Sequence, residues 1–263
     1  MAQGEEYPEA PVVNEQPDSD LVVEARDGSH VAFAELVDRY HVRVSRVVAA
    51  RMGGAGLDGE DVVIEIAQMV REAAPNALIV VGGPHMSIYA EDSLTWDCFD
   101  LAVVGDGEDT FIEICDRVEQ GGGFEDVAGI VYRDKSGELI RTEARALPKD
   151  IDKFPMTAWD LMPVSDYHCL TLLKPFATMV TTRGCPWHCG YCSQVYSEKL
   201  RFRGIEHVVD EMEYLEKQFG VREIVFFDET FTIGKRRMRK FAEEVQRRGL
   251  TVKFNIRARV DTV

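Results

Sequence analysis

The sequence predicts an α/β protein laid out as two successive halves. Three observations predict it. Short apolar runs at residues 77–81, 101–104, 177–182, 223–227 and 251–256 alternate with helix-period patterns at 60–74, 110–120, 205–219 and 235–248. Several of those runs end in glycine turns, Gly82-Gly83-Pro84 and Gly105-Asp106-Gly107 among them. Three of the six cysteines, Cys185, Cys189 and Cys192, fall within eight residues just after the run at 177–182. Strands alternating with helices imply a parallel sheet.

Composition bounds the rest. The 263 residues are 45% hydrophobic and 29% charged, as in an ordinary globular chain. No apolar run approaches the ~18 residues of a membrane helix, and the N-terminus lacks the basic start and apolar stretch of a signal peptide. The expected location is the cytoplasm. The net charge of −16 is uneven. Residues 1–160 carry 13 Lys and Arg against 33 Asp and Glu, whereas residues 161–263 carry 17 against 13. An acidic first half argues against general nucleic-acid or anionic-membrane binding, so a small-molecule substrate is expected.

The elements are expected in this order. Residues 1–19 form an acidic, proline-bearing tail. Residues 20–56 form a helical segment, with Ser29 capping its second helix. Residues 57–147 form an α/β domain. It contains a helix stopped by Pro75, two buried strands, and a hairpin of 129–133 with 138–141 around Asp134-Lys135-Ser136-Gly137. Residues 148–170 are a linker punctuated by Pro148, Pro155 and Pro163 that packs down through Phe154 and Trp159. Residues 171–263 form a second α/β run with three strands and two helices, and a cysteine-bearing loop at 183–204.

That loop reads Arg183-Gly184-Cys185-Pro186-Trp187-His188-Cys189-Gly190-Tyr191-Cys192. Cys-x3-Cys-x2-Cys can turn three thiolates toward one point and leave a metal site open for substrate. A closed zinc site, with His188 or a distant cysteine as fourth ligand, is the alternative reading of the same residues.

The loop resembles that of the radical S-adenosylmethionine (SAM) superfamily, which has Cys-x3-Cys-x-aromatic-Cys after its first barrel strand. The resemblance implies a [4Fe–4S] cluster on Cys185, Cys189 and Cys192, with Tyr191 near the adenine of SAM. It also implies reductive cleavage of SAM to a 5′-deoxyadenosyl radical, fed by an electron donor such as flavodoxin or ferredoxin. Asp228 and Glu229, after the strand at 223–227, would face the loop and accept hydrogen bonds from the SAM ammonium group. The other reading is an acidic pair serving a helix N-terminus. Arg257 and Arg259 would meet the SAM carboxylate or ribose, or form surface ion pairs. Lys235 to Lys240 reads as a solvated helix face.

Upstream, Val80-Val81-Gly82-Gly83-Pro84-His85-Met86-Ser87 and Val103-Val104-Gly105-Asp106-Gly107-Glu108 together resemble the cobalamin-binding domain of cobalamin-associated radical SAM enzymes. Gly82, Gly83, Gly105 and Gly107 would let backbone approach the cofactor, and cobalamin-linked methyl transfer becomes a second implied reaction. The resemblance covers about residues 60–263. It implies a partial Rossmann-like domain followed by a partial (β/α) barrel, with an N-terminal helical segment. Two departures stand out: about two strands of such a domain are missing before residue 60, and the Asp-x-His-x-x-Gly cobalt-ligand motif is absent. The nearest string, residues 166–171, lacks the glycine, and His85 reads as a polar loop histidine. The barrel too has about half its units, so a fragment, or a chain completed by a partner, is expected. An inert relative that assembles the cluster without turnover is a further reading.

Residues 18–52 resemble region 2 of extracytoplasmic-function sigma factors, which implies contact with RNA polymerase. The basic recognition helix for promoter binding is absent. A non-catalytic metal-binding or regulatory module is the alternative function.

Overall fold

The structure is a computed structural model that describes residues 16–17, 20–21, 23–24, 27, 29, 31–32, 35, 59–167, 169, 172–192 and 197–262. The chain divides into two compact units, Met1–Pro75 and Asn76–Val263. The first contains helix α1 (Gly59–Ala73), in which Val62, Ile64 and Ala67 are buried. Pro75 cannot continue it, and the freed Pro75 carbonyl accepts a hydrogen bond from Arg71 Nη1 at 3.0 Å. The expected cap is present: Ser29 Oγ accepts from the Ala32 N–H at 3.2 Å. Most of the sigma-like stretch, 18–52, lies outside the described residues.

The second unit holds a four-stranded sheet in the order β1 (Val80–Val81), β2 (Leu101–Val103), β3 (Ile130–Arg133), β4 (Leu139–Arg141). β1 and β2 are parallel as expected; β2–β3 is antiparallel, against the parallel sheet implied by the alternation of strands and helices, and β3–β4 is the expected antiparallel hairpin. The turn after β3 explains the last pairing. Asp134 Oδ1 accepts from the N–H groups of Ser136 (2.8 Å) and Glu138 (2.9 Å), and so tight a reversal can join only antiparallel neighbours. Helices α2 (Pro84–Ser93) and α3 (Glu108–Glu119) follow β1 and β2. Leu101, Val103, Ile114, Val127, Ile130 and Tyr132 form the core of this half. Helix α2 is not expected from periodicity, because it shows no apolar stripe and kinks at Tyr89 (φ −119°, ψ 35°). Pro84 in its first turn was the signal available.

The linker runs through 3₁₀ turns at Trp159–Leu161 and Val164–Asp166 into a second sheet. Its order is β5 (Phe176–Met179), β8 (Glu223–Phe226), β9 (Lys253–Asn255), all parallel. Helices α4 (Ile205–Phe219) and α5 (Lys235–Arg248) occupy the expected ranges. Between β5 and α4, β6 (Thr182–Arg183) and β7 (Arg201–Phe202) pair as a short antiparallel ribbon that the sequence did not suggest. The core combines Ala177, Met179, Val208, Met212, Leu215, Ile224 and Phe226 with Trp159 from the linker. Trp159 Nε1 donates to Glu211 Oε1 at 2.7 Å, which satisfies a buried indole and helps satisfy a buried carboxylate. The expected boundary at residues 148–170 therefore falls inside one compact unit, because the linker contributes side chains to the core.

Phe226 anchors this core. Its ring stacks on Phe231 at 4.8 Å and meets Phe241 edge-on at 6.0 Å, with no exposed surface. Replacing Phe226 with Ala is expected to cost about 3–5 kcal/mol, the usual range for a buried phenylalanine. Urea denaturation measures it; a loss below about 1 kcal/mol would contradict this packing.

Candidate functional site

Ligands of parallel α/β sheets bind beyond the carboxyl ends of the strands. Here two sets of carboxyl ends open on one cavity of about 910 Å³. The glycine turns after β1 and β2 supply Gly82, Gly83, Gly105 and Gly107. The second sheet supplies Val180 and Thr182 after β5, and Phe227, Glu229 and Arg257 beyond β8 and β9. Cys192 reaches the same cavity from the cysteine loop. Gly83 and Gly105 have φ of 98° and 84°, which a side chain would strain, so glycine is what allows the backbone to turn at the rim. Gly105 N–H also donates to Ser87 Oγ at 3.1 Å, which ties the two turns together.

Three arginine–carboxylate contacts brace one side. Asp106 accepts from Arg201, which is only 6% exposed, and lies 3.2 Å from Arg183 Nη1. Arg183 also forks onto Glu108, with one limb at 3.1 Å. Burial by itself raises the pKa of Asp106; the Arg201 hydrogen bond and the charges of Arg183 and Arg201 outweigh it and hold the carboxyl below its ordinary range.

The two acidic residues expected to face the loop separate. Asp228 is 1% exposed and is consumed internally. Its carboxylate accepts from Thr181 N (2.6 Å), Thr182 N (3.0 Å) and Thr181 Oγ1. It therefore ties the end of β8 to the turn between β5 and β6, a correction to its expected cofactor contact. Burial raises its pKa despite these bonds. Glu229 lines the cavity wall, with Oε2 buried and, among the described residues, without a hydrogen-bond partner. Burial raises its pKa too.

The cysteine loop is tied at its entry. Cys185 N–H donates to the Ser197 carbonyl at 3.1 Å, and Cys192 N–H to the Cys189 carbonyl at 2.9 Å. None of these three cysteines forms a disulfide among the described residues. Their number, softness and spacing suit a thiolate-bound cluster. Among the described residues no three His, Cys, Asp or Glu gather as a metal-binding group. Thiolates repel one another until a cation offsets their charge, and metal binding couples to loop folding. His188 lies 3.7 Å from Glu198. Arg259 does not line the cavity: it donates to Cys189 Sγ at 3.0 Å and lies 4.6 Å over the Trp187 ring. Tyr191 is 92% exposed and also stands outside the cavity wall. The cavity residues missed from sequence include Arg183, Phe111 and Phe227. Arg183 adjoins the cysteine motif, but its partners Asp106 and Glu108 are too distant in the chain to be read by spacing.

A cavity shared by glycine turns and a three-thiol loop defines a cofactor-binding α/β chain. Residues 179–262 match the radical SAM superfamily and residues 59–115 the B12 binding domain. Both domains of the cobalamin-associated radical SAM branch are therefore present in this chain. Neither matched segment reaches residues 18–52. The chain is 31% identical over 200 residues to the uncharacterized methyltransferase PH0819 of Pyrococcus horikoshii, covering 75% of this chain and 43% of that one. It is 31% identical over 201 residues to the anaerobic magnesium-protoporphyrin IX monomethyl ester cyclase of Rubrivivax gelatinosus, covering 74% and 36%. The radical SAM methyltransferase TsrM from Kitasatospora setae, solved with cobalamin and a [4Fe–4S] cluster, shares the fold at a TM-score of 0.55 and 20% identity, over 72% of this chain and 37% of that one. This chain thus spans less than half the length of these relatives. No helix among the described residues is long and apolar enough to cross a membrane.

Two predictions test this geometry. At Gly184 (φ 90°) an added Cβ would meet the carbonyl oxygens of Ser197 at 2.4 Å and Lys199 at 2.5 Å, whereas at Gly190 it would meet nothing within 4 Å. Gly184→Ala should therefore speed amide exchange across 183–201, and Gly190→Ala should not; equal effects would refute the tight entry. Asp106→Asn should be less stable than the parent at pH 7. The native pKa of Asp106 is depressed, so its contribution is full above the unfolded value of about 3.9 and fades as pH falls through the native value. Unfolding free energies of the two proteins should draw together as pH falls below the unfolded value; a constant gap would mean that Asp106 acts through something other than its charge.

Proposed function

We propose that this chain is the cofactor-binding core of a cobalamin-associated radical SAM enzyme, which cleaves SAM reductively and carries out cobalamin-linked methyl transfer to a small-molecule substrate. The single observation that carries this reading is the shared cavity, where the glycine turns of one half meet Cys192, Glu229 and Arg257 of the other. The methyltransferase among the relatives supports the reaction class.

The assigned roles follow the chemistry of the side chains. Cys185, Cys189 and Cys192 hold the [4Fe–4S] cluster. When bound, that cluster supplies the electron for sulfonium cleavage and cobalamin supplies a methyl carrier. Glu229 offers its unpartnered Oε2 to the SAM ammonium, and such a cation would reverse the upward pKa shift that burial imposes. Arg257, stacked 4.6 Å over Phe227, is held at the cavity wall to meet the SAM carboxylate. Gly82, Gly83, Gly105 and Gly107 let backbone approach cobalamin without a side chain in the way. Tyr191 is assigned to the adenine. Arg259, through Cys189, tunes the cluster rather than touching SAM. A low-potential flavodoxin or ferredoxin is the fitting electron donor.

Anaerobic reconstitution tests the reading. About four iron and four acid-labile sulfide per chain are expected, and both should be lost when Cys185, Cys189 and Cys192 are all replaced by Ala. Zinc in place of iron, or iron retained by the triple variant, would overturn it.

A further inference from the structure

The cysteine loop springs from a neck formed by β6 and β7, where Arg183 and Arg201 are direct cross-strand partners. Like charges placed opposite each other in a ladder repel. The neck is stable because one carboxylate serves both: Asp106 Oδ2 binds Arg201 Nη1 and lies 3.2 Å from Arg183 Nη1, while Oδ1 is 3.4 Å from Arg201 Nη2. Asp106 sits between Gly105 and Gly107, at the turn that lines the cavity from the other half. Its side chain is 10% exposed and that of Arg201 6%, so solvent does little to screen the pair. Arg201 itself does not line the cavity.

We propose that Asp106 and Arg201 are positioning residues that lock the glycine turn and the cysteine-loop neck in one register, so that each cofactor side of the cavity depends on the other through this ion cluster. The proposal rests on the functional reading above. It follows from bond directions: the turn cannot shift without pulling Arg201, and the neck cannot twist without breaking its contact with Asp106. Cys185 lies two residues beyond Arg183, so a displaced neck displaces the first thiol.

The test is hydroxocobalamin binding by the iron-reconstituted chain, followed by absorbance. Arg201→Gln should weaken binding about tenfold, within the 5–150-fold span of coupled sites, although Arg201 lies off the cavity wall. Arg201→Lys should recover part of the loss, since it keeps the charge and loses the fork. Asp106→Asn should match Arg201→Gln, and the double variant should be no worse than either single one, because both remove the same interaction. General destabilisation would instead add. Affinity within twofold of the parent in both single variants, or additive losses, overturns the proposal. Asp106→Asn supplies the same comparison if Arg201→Gln does not fold. Failure of the parent chain itself to bind hydroxocobalamin would refute the cobalamin reading, and a binding parent with unaffected variants would refute only the positioning role.

Discussion

One carboxylate, that of Asp106, holds together parts of the chain that no backbone pairing joins. The first sheet ends at β4 and the second starts at β5, with no strand shared between them. What crosses is charge: Asp106 and Glu108 on the turn after β2 against Arg183 and Arg201 on the ribbon. Lys153 adds a contact to Asp109 at 2.5 Å, and Asp152 Oδ2 accepts from the Gly204 N–H at 2.7 Å. Charged pairs at low exposure are costly to separate once made, because each partner left alone is a poorly solvated ion. Residues on both sides of this seam line the shared cavity.

The cavity also shows how two adjacent acidic residues come to opposite uses. Asp228 and Glu229 follow the same strand but turn to different surroundings. Asp228 points inward and meets the N–H groups of Thr181, between β5 and β6, and of Thr182, the first residue of β6. Arg237, which donates to Thr181 Oγ1 at 2.6 Å, adds a compensating charge. Glu229 points to the cavity, where its Oε2 has no such partner. One acid stabilises the frame, and the other stands at the place where a ligand would be met.

Much of this was legible in the chain itself. The elements with strong periodicity, Ile205–Phe219 and Lys235–Arg248, stand where the pattern put them, since a helix stripe is a local property of residues three and four apart. The three clustered thiols, the glycine turns at 82–83 and 105–107, and the Ser29 cap are equally local signals, carried by residue type and spacing. Family resemblance was readable for the same reason, and the matched segments at 59–115 and 179–262 agree with it.

Tertiary structure alone decided the rest. No spacing rule pairs Asp106 with Arg201 or Glu108 with Arg183, because those contacts depend on how the two sheets pack. The same holds for the antiparallel pairing of β2 with β3 and for the β6–β7 ribbon, whose two-residue strands are too short to carry a pattern. The side chain of Arg259 lies on Cys189 and Trp187 and pairs with Asp261, a choice between neighbours that only three-dimensional proximity makes. The sequence determined which chemical groups the site would have; packing determined which of them face one another.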